Sequence, residues 1–244
     1  MKKFLTLFVL AVTLVSNAQE SVLLRLNYEK GAKYTMKMDM TQEMGPAGSM
    51  SMKMKASIDI VDANKGVYTT KTKFTKVAMD MFVGGQIMSF DSDMSDDDLD
   101  ESAQQMKAQM EPMLKAVIFT KTNNLGKVLE IKAEPDFPGS DQMAKQSSNI
   151  VYPEKSVKVG STWNMEQENQ GMKMNFIYTV KSILKDKVIL DISGEISGLA
   201  EGTITGKINV GKKSGLPLKS KIDMTMSVSG QEMKSTVAVE MIKM

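Results

Sequence analysis

The sequence predicts a mainly β protein of the α+β class: a curved antiparallel sheet or half-barrel, with one amphipathic helix covering its apolar face. Three observations carry that expectation. Apolar and polar residues alternate through most of the chain, the alternating stretches are separated by turn-forming glycine, proline and asparagine, and one segment alone shifts to a helical period.

The opening residues read as an export signal. Lys2 and Lys3 precede an apolar run from Phe4 to Val15, and Ser16-Asn17-Ala18 supplies a small-x-small cleavage pattern. That run is too short to span a bilayer, which takes about 20 apolar residues. Residues 1–18 are therefore expected to be removed as a signal peptide by cleavage after Ala18. The remainder is expected to be exported and soluble, in the periplasm or outside the cell. It would comprise an N-terminal β lobe (19–137), a connector (138–152) and a C-terminal β lobe (153–244).

Val22 to Tyr28 alternates as a strand, Gly31 turns, and Tyr34 to Met40 alternates again. "GPAGS" (Gly45 to Ser49) is a turn, because proline presets φ and glycine accepts positive φ. Met50 to Val61 and Val67 to Val77 are the next strands, joined by "DANKG". Met79 to Val83 and Gln86 to Phe90 flank Gly84-Gly85, a two-glycine hairpin signal. The period then changes. Leu99, Ala103, Met106, Met110, Leu114 and Val117 follow three- and four-residue steps, which predicts a helix over about 96–115. Ser95 is the expected N-cap, the aspartates after it suit the positive end of the helix dipole, and Pro112 predicts a kink or an early end. Ile118 to Thr122 and Lys127 to Lys132 read as a hairpin, and Gln142 to Asn149 as a short helix. Strands and turns then run from Val157 to the end.

"GAKYTM" (Gly31 to Met36) and "GSTWNM" (Gly160 to Met165) share Gly-x-x-aromatic-x-Met, each followed by a Met-x-Met strand. Two related lobes would explain the pair, and so would the constraint that period-2 alternation places on any two hairpins.

Composition excludes several chemistries. The chain has neither cysteine nor histidine, so a thiol nucleophile, a thiolate or histidine metal site and a Ser-His arrangement cannot be built. Paired carboxylates remain chemically available, but no spacing singles out a pair. No catalytic residue, metal ligand or cofactor is nominated, and the expectation is a protein that is not an enzyme. The acidic run Asp91 to Asp97 falls short of a calcium loop, since Asp96 stands where the turn glycine belongs and Ser102 where the bidentate glutamate belongs. The formal net charge of +2 falls to zero without Lys2 and Lys3, and Arg25 is the only arginine, a poor basis for nucleic-acid recognition. Aromatics at 6% are too few for the girdles of a membrane barrel, so a membrane-spanning protein is not expected.

The methionines are the distinctive feature. There are 24 of them, many two residues apart: Met36, Met38 and Met40; Met50, Met52 and Met54; Met172 and Met174; Met224 and Met226. Residues two apart on a strand point to one side, so neighbouring strands of this kind would build one surface of thioethers. That surface could be core, the lining of a pocket for an apolar guest, or a soft Cu(I) site lacking histidine and cysteine partners. The expected ligand-lining set is Met36, Met38, Met52, Met54, Met106, Met110, Met172 and Met174. The expected partner is an apolar small molecule or lipid, such as the acyl chain of a lipoprotein. An envelope structural or interaction module with a filled core is the alternative, and methionine-based Cu(I) binding a minor one. No protein partner can be read from the sequence.

At "YPEKSVKVGSTWNM" (Tyr152 to Met165) the chain resembles an uncharacterised family of exported Bacteroidota proteins that carry a Pro-x-x-x-Val-x-x-Gly-x-x-Trp block, here Pro153, Val157, Gly160 and Trp163. The resemblance extends to Tyr28, Gly31 and Tyr34 and to "NNLGKVLEIK". It implies periplasmic or outer-envelope residence and supplies no catalytic residue. The expected architecture is also similar to periplasmic carriers of lipoproteins and lipids, an analogy of fold alone.

Overall fold

The structure is a computed structural model that describes residues 20–137, 140, 150–169, 171–228 and 230–244. The expected signal peptide and the expected short helix at Gln142 to Asn149 lie outside the described residues. In chain order the elements are β1 (Ser21–Val22), β2 (Lys33–Glu43), β3 (Gly48–Asn64), β4 (Val67–Val83), β5 (Gln86–Asp91), α1 (Glu101–Lys115), β6 (Val117–Asn123), β7 (Val128–Glu134), β8 (Val157–Lys158), β9 (Thr162–Asn169), β10 (Met172–Ile183), β11 (Lys187–Gly198), β12 (Glu201–Gly211), β13 (Pro217–Val228) and β14 (Gln231–Lys243).

β1 pairs only with β8. The other strands form one 12-stranded antiparallel sheet in the order β7-β6-β4-β3-β2-β14-β13-β12-β11-β10-β9, with β5 on the remaining length of β4. Most adjacent strands are consecutive in sequence; the exceptions are β4, which pairs with β6 as well as with β5, and β2, the first long strand, which lies against β14, the last. The two halves of the chain share one sheet through that pair. β7 ends one side of the sheet, with β5 beside it on β4, and β9 ends the other; the sheet is curved and not closed into a barrel.

One face of this sheet is apolar from wing to wing. Directly opposed residues of an antiparallel pair share a face, and such partners can be followed from strand to strand. Met79 faces Met52, Met52 faces Met40, and Met40 faces Val237. Val237 faces Ile222, Ile222 faces Gly206, and Gly206 faces Ile192. Ile192 faces Tyr178, and Tyr178 faces Trp163. The charged residues between these positions, such as Lys37 opposite Lys55 and Asp39 opposite Lys53, alternate onto the other face. The methionines expected to share a surface within each strand therefore share it across strands as well.

Two cores fill parts of the inner face. The first joins Tyr34, Ile58 and Ile60 on one wing, Tyr178, Val180, Leu190 and Val210 on the other, and Leu24, Leu26 and Tyr152 from outside the sheet. A sheet whose two wings bury the same side chains must curl around them. Leu24 and Leu26 belong to an N-terminal strap, residues 20–28, expected as a strand from Val22 to Tyr28. The alternation is there, with Leu24 and Leu26 buried and Leu23 exposed, but β1 ends at Val22. The strap has no neighbouring strand beyond that point. Its N–H groups go instead to hairpin turns, Leu26 to the Asn124 carbonyl and Asn27 to the Ser214 carbonyl, both at 2.8 Å.

The strap closes one end of the curl, and polar anchors fix it there. Arg25 donates to the carbonyls of Leu24 and Pro153 at 2.7 Å and Glu154 at 2.6 Å. Tyr68 Oη donates to the Leu26 carbonyl at 2.9 Å and Tyr152 Oη to the Gly215 carbonyl at 2.8 Å. At Gly215, φ is +63° and a Cβ would stand 1.9 Å from the Arg25 carbonyl oxygen; at Gly126, φ is +89° and a Cβ would stand 2.2 Å from that of Ile150. Only glycine allows the strap and connector to come so close to these turns.

The second core lies beneath the helix: Ala103, Met106 and Met113 of α1 are buried, and the last two pack with Phe74, Val77, Met79 and Phe90. The helix starts later than the expected Asp96. Asp100 is its N-cap and accepts from the Ala103 N–H at 2.8 Å, while Ser95 precedes a separate 3-10 turn, Asp96–Asp98. It continues past Pro112 to Lys115, because a proline in the last turns removes one backbone bond and leaves the later ones, such as Ala116 N–H to the Pro112 carbonyl at 3.1 Å. The two strands expected over Val67 to Val83 are one, β4. A bulge at Thr75 changes its parity, so that Phe74 and Val77 are both buried.

Candidate functional site

Between the two cores, no described element covers the inner face. Met38 and Met40 on β2, with Val237 and Val239 opposite them on β14, are half-buried and belong to neither core. Met233, on the same face of β14, is also half-buried and outside both. These residues form the floor of a trough flanked by the helix-covered core on one side and the strap-filled core on the other. The strap blocks one end of the trough. At the other end, among the described residues, lie hairpin tips, with Leu199 at 73% exposure; Ile87, 76% exposed, is opposite Phe82 and therefore on the other face of the sheet.

The nominated methionines divide among these regions. Met38 is in the trough. Met36 borders both cores; Met52, Met54 and Met110 pack at the margin of the helix-covered core; and Met106 is buried within it. Met172 and Met174 are brought elsewhere, to β10 on the far wing against the first core. Met40, Met233, Val237 and Val239 were not nominated. Met40 had the signal, since it continues the Met36-Met38 alternation; the β14 residues had none, because only the pairing of β14 with β2 brings them there.

A separate apolar cavity of about 230 Å³ lies on the other side of Met36, walled by β3, β4, β6 and β7 and including Phe74, Ile118, Ile131, Phe137 and Met241. No residue of α1 lines it. Beneath the helix, where the nominated Met106 and Met110 lie, Met106 packs with Met113, Phe74 and Phe90 in the core.

Charge is kept away from the site. The Asp91–Asp93 region is engaged by Lys76, at 3.0 Å from Asp91 and 2.6 Å from Asp93, and Lys107 pairs with Asp96. Among the described residues, no group of three or more acidic side chains is placed to hold a metal ion, and no helix is long and apolar enough to cross a membrane. The ionisable groups near the cores are tyrosines. Burial pushes Tyr28 and Tyr152 well above the usual phenol range and Tyr178 up to about 12.

The residues of the Pro-Val-Gly-Trp block have structural roles. Pro153 supplies a carbonyl to Arg25, and Val157 is buried and pairs with Val22. The Gly160 N–H donates to the Val180 carbonyl at 2.8 Å, and Trp163 stacks on Tyr178 with ring centres 5.4 Å apart. Gly31 and Gly160, the two glycines of the paired motif, have φ of +84° and +85°. Each donates to the second strand after it, Gly31 to the Ile60 carbonyl in β3 and Gly160 to the Val180 carbonyl in β10.

Residues 139–240 match the model of a family of unknown function, DUF6263, so the expected resemblance to an uncharacterised family holds over that region. No curated protein matches the chain by sequence. Among solved structures the chain is similar to lipovitellin, described for its lipid–protein interactions, with a TM-score of 0.59 and 10% identity over 89% of this chain. It spans about a quarter of lipovitellin, 25% of that chain. Two variants of a porin from Rh. blastica align over 87% of this chain and 99% of theirs at 8% and 9% identity, with TM-scores of only 0.23 and 0.20. The lipovitellin likeness is one of fold.

Proposed function

We propose that the protein binds an apolar ligand, a lipid or the acyl part of a lipoprotein, in the open trough of its sheet, and that it does so in the cell envelope without catalysing a reaction. The observation that carries this reading is the half-exposed floor formed by Met38, Met40, Val237 and Val239. Each Å² of apolar surface left in water forgoes about 25 cal/mol, and a folded chain that leaves a continuous row unfilled has room for a guest that covers it. Thioethers suit such a floor because they are flexible and polarizable and repack around irregular chains. The fold shared with part of lipovitellin, a structure described for its lipid–protein interactions, supports the same class of ligand. The ligand would enter by the unstrapped end, beside the hairpin tip that carries Leu199.

The test is native mass spectrometry of gently purified protein, joined to titration with a fluorescent fatty acid. A co-purifying adduct of lipid mass, displaced by the probe, is the expected result. Protein that arrives empty and ignores the probe would overturn the proposal.

A second reading draws on the small cavity beside Met36. At about 230 Å³ it is below the roughly 300 Å³ from which drug-sized ligand sites usually start. That favours a filled interaction module over a carrier with an internal chamber, and it places the whole weight of the carrier reading on the trough.

A further inference from the structure

The small cavity has a chemistry of its own. Four threonines of two adjacent strands line it: Thr70 and Thr72 on β4, Thr120 and Thr122 on β6. The ladder puts Thr70 opposite Thr120, Thr72 opposite Ile118 and Thr122 opposite Tyr68, so all four face inward. Threonine's branched side chain fits strands well, but valine fits equally and carries no hydroxyl to desolvate. The hydroxyls here are poorly provided for. Thr70 Oγ1 reaches the Thr120 carbonyl at a long 3.4 Å. Thr122 is 3% exposed, and its Oγ1 has no hydrogen-bond partner among the described residues. A buried hydroxyl left unpaired costs about 1–3 kcal/mol, and an orphan of this kind needs an explanation. Apart from Tyr28 and Ser140 the remaining wall is apolar, with Met36, Ile58, Phe74, Ile131 and Phe137 among it, and no charged side chain lines the space.

From this hydroxyl-bearing, uncharged cavity we infer a second binding site, distinct from the trough. It takes a small neutral amphiphile, or the neutral end of a larger one, whose hydroxyl or carbonyl oxygen pairs with Thr122 Oγ1. Size sets the class. An apolar cavity of about 150 Å³ holds benzene, so by proportion this one holds about nine heavy atoms, a medium-chain alcohol or ketone. A carboxylate is rejected at the Thr122 end, where the side chain is buried, because desolvating its charge without a partner costs far more than one hydroxyl bond returns. Tyr28, also on the wall, is kept protonated by its burial and adds a second neutral polar group. The site stands independently of the trough, and either can fail alone.

The experiment is methyl NMR of threonine-labelled full-length protein, titrated separately with 1-octanol, 2-octanone, octane and octanoate. The expected result is a saturable shift of the Thr122 methyl with octanol and octanone, weaker binding of octane, and none of octanoate. Thr122→Val should weaken octanol about tenfold while leaving octane unchanged, and Thr122→Ser, which keeps the hydroxyl, should retain the preference. A variant carrying Met38→Gln and Met40→Gln should bind octanol as the wild type does, which separates this site from the trough. Equal binding of octanol and octane, the same octanol affinity in Thr122→Val, or no shift at all because water alone fills the cavity would each overturn the proposal.

Discussion

Met40 stands directly opposite Met52 in the β2–β3 ladder, yet the two thioethers have different fates. Met52 packs at the margin of the helix-covered core, whereas Met40, one strand nearer the middle of the sheet, belongs to no core. The boundary between filled and unfilled inner face runs between them.

Substitution on either side of that boundary should separate binding from stability. The pair Met38→Gln and Met40→Gln should change stability by no more than about 1 kcal/mol, because both side chains are already half-exposed. Binding of a fluorescent fatty acid should fall about tenfold or more. Met79→Ala, at a site 7% exposed, should cost about 2–5 kcal/mol. Urea denaturation and probe titration of the two variants measure both quantities; an unchanged probe affinity in the double variant would count against the trough.

Arg25 should be the most sensitive polar position in the strap. It holds three carbonyls, those of Leu24, Pro153 and Glu154, and a hydrogen bond from a charged donor contributes about 1.5–3 kcal/mol. Arg25→Ala should lower stability by a few kcal/mol, and Arg25→Lys should recover only part, since an ammonium cannot reproduce the guanidinium fork. Hydrogen exchange should rise first at Tyr152, whose N–H is bonded to the Leu125 carbonyl. Full protection there in Arg25→Ala would show that the strap is held by packing alone.

The glycines that meet the strap should be distinguishable from those that only turn. Gly31 has φ of +84° and open space around it, so Gly31→Ala should cost about 1–2 kcal/mol of backbone strain. Gly215→Ala adds a clash with the Arg25 carbonyl and should cost more and loosen the strap. Thermal melts of the two variants decide the point, and equal losses would mean the close approach relaxes freely.

Alkaline pH should report the cores. The chain has five tyrosines, and burial raises every one, Tyr178 to about 12. A phenol whose folded pKa exceeds its unfolded value near 10 favours the folded state fully below pH 10, and that contribution is lost as pH rises from about 10 through 12. Absorbance at about 295 nm should therefore stay low just above pH 10 and rise together with unfolding. Titration of Tyr28, Tyr152 or Tyr178 near 10 while the far-ultraviolet circular dichroism is unchanged would contradict this placement.

Much of the architecture was legible because its signals are local. Alternation gave the strands, Gly84-Gly85 marked the β4–β5 hairpin, and the step from Leu99 to Leu114 marked the helix. The misreadings arose where one residue changes the period or a partner is remote. The Thr75 bulge was invisible to simple alternation. Ser95 was the expected cap, but it precedes the 3-10 turn, and the aspartate whose side chain reaches the Ala103 N–H, Asp100, caps the helix instead. Leu24 and Leu26 alternate as strand residues do, but no strand was left to pair with them.

From the sequence alone it was determined that the protein is mainly β, that one amphipathic helix covers apolar surface, and that the Met-x-Met runs share a side within each strand. Those properties depend on the repeat of the backbone, which each residue expresses among its near neighbours. Tertiary structure alone decided that β2 lies beside β14, that the strap closes one end, that Met38 and Met40 stay uncovered, and that four threonines meet around a cavity. Those outcomes depend on which distant segments share a sheet edge or a turn, and hydrophobic alternation, being the same in every strand, does not encode which one.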